Sequence, residues 1–337
     1  MSTSRKTARG FTLAEMLVAT VVLIIIVLFV TQLVNHASVI VGQGTKHMDS
    51  EAYTRALFDR IAVDVAQMVK RTDISYYVKN LVSGSVMGNG IPGVNDRMAF
   101  FSSGPGYYDT AKVVYNSGYS LIAYRVNSDP ASSFYNKVER MAKGLPLNGA
   151  YVTPPSGSNA TVSPLLFLDS TIATTIGNVW PTATAPVGDP NYYCCSSCTP
   201  CNDPEQAYER VASQVFRLEY YYLTSASPAT LVASPPTWSD WNTVNIKDVA
   251  AIVVAVAVID PQSKKLLGTT PADQDAQIAK IIQKLPDYTS AITNYGKPGA
   301  LLAQWQDVLN TDGTIKAMPR PALQGIRLYE RYFYLNQ

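Results

Sequence analysis

The chain has 337 residues, of which 47% are apolar and only 15% charged, with a formal net charge of +2. An apolar share of that size excludes wholesale disorder, and Lys and Arg scattered outside the N-terminus exclude the basic stripe that nucleic-acid binding needs. Histidine occurs only as His36 and His47, both in the N-terminal helical region, so the globular part has no material for a His-based triad or zinc centre.

Residues 1–10 form a short basic leader with Arg5, Lys6 and Arg9, whose removal leaves the rest of the chain near neutral. Between Phe11 and Val34 there is no Pro or Gly and one charged residue, Glu15. Those 24 residues make a helix of about 36 Å, enough to cross a hydrocarbon core of about 30 Å. With the positive charge before the span, the N-terminus is expected in the cytoplasm and everything after about residue 35 outside. An ordinary secretory signal would carry its cleavage site after the apolar core, whereas Gly10 precedes it, so a cut there keeps the anchor. Glu15 needs a partner in apolar surroundings. Once Gly10 is removed, the new α-amine of Phe11 lies one helical turn away, in the same chain or a neighbouring one.

Gly10-Phe11-Thr12-Leu13-Ala14-Glu15-Met16-Leu17 resembles the prepilin cleavage and methylation motif of type IV pilins and type II secretion pseudopilins. The resemblance implies a cut by prepilin peptidase between Gly10 and Phe11, N-methylation of Phe11, and Glu15 as the acid that guides entry into a filament. It further implies other pilin or pseudopilin subunits, an inner-membrane assembly platform and the lipid bilayer as partners. The bland reading of the same residues is a single-pass anchor whose glutamate reaches the interface.

Residues 35–73 carry apolar positions such as Leu57, Ile61, Val65 and Met68 at helical spacing, which predicts an amphipathic continuation of the helix. Gly42 and Gly44 are expected to break or kink it, and the half from Glu51 to Arg71 to pack on the body. Residues 74–337 read as a β-rich domain, so the fold class expected is α+β. Strands are predicted at Met98–Phe101, Lys112–Tyr115, Ser120–Val126, Val215–Leu223, Val249–Ile259 and Arg327–Leu335. The order Leu121–Val126, Val138-Glu139-Arg140, Phe216–Tyr222, Trp238/Trp241 and Ala250–Ile259 resembles J-type minor pseudopilins. Phe58-Asp59-Arg60-Ile61-Ala62, Asn95–Phe100, Ala123-Tyr124-Arg125-Val126 and Glu139–Leu145 are similar to the pilin-like protein C of a Verrucomicrobia cassette, a family that brings no defined activity.

Residues 146–163 and 177–206 read as long loops. All four cysteines fall in the second: Cys194, Cys195, Cys198 and Cys201. Outside the cytoplasmic membrane two disulfides are the first reading, the first pair bonding the second, with a four-thiolate metal site or free thiols as alternatives. From Thr270 to Leu309 helical periodicity returns, predicting short helices. Asp248, Asp260, Asp273 and Asp275 are among the candidate carboxylates for chemistry, and Asp273-Gln274-Asp275 and Asp307 to Asp312 could bind calcium, although neither has the spacing a calcium loop demands. With no phosphate-cradling loop, nucleophile elbow or HExxH, neither enzyme activity nor a cofactor is expected. Two functions stay open. One is a minor pilin or pseudopilin at a filament tip or priming position, the other a membrane-tethered binding protein that uses a pilin-type signal without polymerising.

Overall fold

The computed structural model describes residues 12–70, 95–104, 106–110, 113–118, 120–127, 130, 132, 134–144, 208–226, 229–232 and 248–335. The chain is mixed α+β, and it divides into two units, one running to Asp49 and one from Ser50. Helix α1, Leu13–Ala66, is common to both. Its residues Leu13–Ser38 form one span long and apolar enough to cross a membrane. Run 21–27, Val-Val-Leu-Ile-Ile-Ile-Val, would favour a strand in water. A helix satisfies every backbone group internally, which is the condition a lipid environment imposes. The few hydroxyls are satisfied within the helix too: Thr20, Thr31 and Ser38 donate to the carbonyls of Leu17, Val27 and Val34 at 2.8, 2.8 and 2.9 Å. Contrary to the expected break, α1 runs through Gly42 and Gly44, and it ends at Ala66 rather than near residue 73. The chain then turns extended: Ser103 donates to the Gln67 carbonyl and Val69 to the Phe101 carbonyl, both at 2.8 Å.

The second unit holds two sheets. The first contains β1 (Arg97–Ser102), β2 (Gly106–Thr110), β3 (Val113–Ser117), β4 (Ser120–Val126), β5 (Val138–Gly144) and β6 (Glu209–Ala212). Its order is β1-β4-β5-β2-β3, with β6 also on β5. The second contains β7 (Val215–Thr224), β8 (Leu231–Val232), β9 (Val249–Ile259) and β10 (Ile326–Tyr334), in the order β10-β9-β7-β8, all antiparallel. Where β8 does not reach, β7 is edged by side chains. Leu218 N–H donates to Asn95 Oδ1 at 2.8 Å and Tyr220 N–H to Asp96 Oδ2 at 3.0 Å, so two residues stand in for a strand.

Strand β9 is a continuous apolar run because both its faces are covered. Ile252, Val254, Val256 and Val258 join the core shared by α1 and both sheets, whereas Val253, Ala255, Ala257 and Ile259 join a second core. That second core lies under α2 (Pro261–Lys265), α3 (Pro271–Lys284), α4 (Ala300–Thr311), α5 (Gly313–Lys316) and α6 (Arg320–Leu323). The alternation of Val with Ala along one strand follows its two faces, and on the helix-covered face the alanines leave room for larger neighbours.

Candidate functional site

At the first turn of α1, Thr12 and Glu15 satisfy one another. Thr12 N–H and Oγ1 donate to Glu15 Oε2 at 2.9 and 3.0 Å, and Glu15 N–H donates to Thr12 Oγ1 at 3.3 Å. This is a capping box, the Thr-x-x-Glu pattern in which two otherwise orphaned amides find side-chain acceptors. The pattern is written in the sequence, yet a reading that sought an ammonium partner for Glu15 passed over Thr12. Gly10 and Phe11 lie outside the described residues, as do Cys194, Cys195, Cys198 and Cys201.

The second arrangement joins α1 to the sheets. Leu57, Phe58, Ile61 and Val65 are buried on one helix face, with Phe58 edge-on to Phe333 at 6.0 Å between ring centres. Beside them Asp64, 3% exposed, accepts from Arg140 Nε at 2.6 Å and from Nη2 at 2.8 Å, and its Oδ2 also accepts from the Tyr124 hydroxyl. A forked guanidinium on a carboxylate is the strongest of the common side-chain pairings. Arg140 Nη1 continues to Glu209 at 2.9 Å, which Arg60 approaches at 3.6 Å, and Asp59 takes Arg331 at 2.7 Å. Burial first, then the Asp64 charge, push the Tyr124 phenol well above its ordinary value. Three ionised residues of α1 thus reach four strands: β4, β5, β6 and β10. The sequence supplied Tyr124, Arg140, Asp59 and Arg60 as motif residues, but not the fact that Asp64 collects two of them.

A third group lies in the second core. Arg217 and Glu219 sit on the β7 face opposite Ala257 and Ala255, and neither is exposed. Arg217 donates to Asp287 and its guanidinium stands 5.7 Å from the Trp305 ring, while Glu219 Oε1 accepts Tyr288 N–H at 2.8 Å. Tyr221 stacks on Tyr288 at 4.0 Å and donates to Glu330 at 2.6 Å; burial, then that bond, raise its pKa. The contacts to Asp287 and Tyr288 fasten the α3–α4 connection to the sheet, while the Tyr221–Glu330 bond joins β7 to β10. No periodicity signals them, since i and i+2 charges in a strand read as a solvent face.

Four of the acidic side chains named as candidates have partners within the fold. Asp273 forms a capping box with Thr270, Asp275 pairs with Lys264 at 2.6 Å, and Asp260 and Asp312 cap α2 and α5. Among the described residues no group of three or more His, Cys, Asp or Glu is placed to hold a metal ion. No protein-family model matches the chain, and no curated protein matches it either.

Proposed function

We propose that the chain is a pilin-like subunit of a type IV pilus or type II secretion-like filament, in a tip or priming position. Prepilin peptidase cuts after Gly10, Phe11 is methylated, and α1 anchors the protein in the inner membrane with its body outside. From there the assembly platform and neighbouring subunits take it up through α1. The observation that carries this reading is one polar device at the mouth of an apolar span. Leu13–Ser38 has a single acidic residue, Glu15, in its first turn, and that residue is held by Thr12. The capping box gives a plain anchor some use for this carboxylate too, but an acid inside an apolar span costs on the order of 2.5 to 3.5 kcal/mol near mid-bilayer and less towards the interface, and a plain anchor has no further partner to offset it. A subunit that must recognise a neighbour's N-terminal amine has one. The body contributes as a carried domain whose bonds to α1 are directional, and no chemistry is assigned to it.

Intact-mass and N-terminal peptide mass spectrometry, with and without active prepilin peptidase, tests the proposal. The expected mature chain starts at Phe11 and carries one added methyl group. A start at Met1 or Ser2 in cells with active peptidase would reduce the protein to a tethered binding module.

A further inference from the structure

The apolar ladder of α1 does not by itself define where the helix sits on the body. Leu57, Ile61 and Val65 are all fully or almost fully buried and follow one another at intervals of four. A slip of one turn, about 6 Å, would replace each of these three by the next with little change in their apolar burial, while it would draw Gln67 and Val69 away from their bonds at the end of β1. Phe58 resists by size, but Thr54 and Ala62, its neighbours on the second ladder, leave the other positions undemanding.

We propose that Asp64 is a register lock, which adds a charge requirement to a seating of α1 that Phe58 and the bonds of Gln67 and Val69 at the end of β1 also favour. One slip direction would bring Arg60 to the place of Asp64, setting a second guanidinium against Arg140. The opposite slip would bring Met68 there and leave Arg140 buried without its carboxylate. Both alternatives are penalised by charge, whereas the observed seating gives Asp64 two bonds from β5 and one from β4. A buried ion pair adds little net stability over a well-packed apolar pair, and fixing register is its best-attested use. Under the proposed function the lock keeps the body from creeping when the subunit is drawn along its helix axis. That purpose rests on the filament reading while the seating does not, so an unprocessed N-terminus would sink the first alone.

The test uses the full chain in detergent micelles, spin-labelled through a ketone-bearing amino acid at Val63 and Tyr334, both exposed, so that no cysteine is touched. Pulsed electron–electron resonance on the otherwise native chain is expected to give one distance population. Replacing both partners, Asp64→Met with Arg140→Met, keeps the site apolar and folded. It is expected to add a second population whose distance differs by up to about 6 Å, beside a remainder at the original distance held by Phe58 and by the bonds of Gln67 and Val69 at the end of β1. A double variant that keeps the single original distance overturns the proposal. Should it not fold, Asp64→Asn carries the same two outcomes.

Discussion

Helix α1 has one backbone geometry and two chemistries. From Leu13 to Ser38 every residue is exposed and most are large and apolar, and the span's one acidic side chain is turned back on its own first turn. From Ser50 to Ala66 the buried apolar residues Leu57, Phe58, Ile61 and Val65 lie on one face while Tyr53 and Val63 are exposed, and Asp59, Arg60 and Asp64 bond to strands. The first stretch asks its surroundings only to be apolar, while the second asks for particular atoms at particular places. The same kind of substitution should therefore act differently in the two stretches.

The largest effect is expected at the lock. Asp64→Ala leaves the buried Arg140 guanidinium with only its Nη1 bond to Glu209 and should lower stability by about 3–5 kcal/mol in denaturant unfolding. In the apolar stretch, Ile25→Lys should cost about 3 kcal/mol of membrane insertion, read as the fraction of chain in carbonate-washed membranes, and leave the melting of the second unit unchanged. Alkali should separate the two halves without mutation. Tyr124 and Tyr221 have raised pKa values in the fold, so above about pH 10 the unfolded chain releases protons that the folded chain keeps. Stability is then full below pH 10 and falls as pH rises. Far-ultraviolet circular dichroism should show the sheets lost in alkali while α1 keeps its apolar helix in micelles. The smallest effect is expected at Val63, exposed on the outer face of the packed half, where Val63→Ser should change stability by no more than about 0.5 kcal/mol.

Much of the fold was legible because it follows from period and composition. β9 was read from Val249 to Ile259 because eleven apolar, mostly β-branched or small residues have no other economical arrangement, and α3 and α4 were read from Ile278, Ile281, Leu301 and Trp305 at helical spacing. The unbroken course of α1 through Gly42 and Gly44 was not legible, since a cost of about 1 kcal/mol per glycine is small beside the continuity of a long helix. At the candidate site Glu15 stood out by its rarity, whereas Asp64 did not, because an acid among helical charges usually faces water. Its partners come from strands far along the chain, and only folding brings them together. Asn95 and Asp96 were noticed as a motif, but their work as the border of β7 depends on where β8 stops.

The pairing of β9 with β10 has a consequence for biogenesis. β9 is the middle of its sheet, yet its partner on one side arrives only after the whole helical layer from Pro261 to Leu323 has been made. A body made from its N-terminus therefore passes through a stage in which this apolar strand has one side bare. During that interval a holding chaperone or a protease can distinguish an unfinished chain from a finished one, and a chain truncated before Ile326 would remain permanently in the state they recognise.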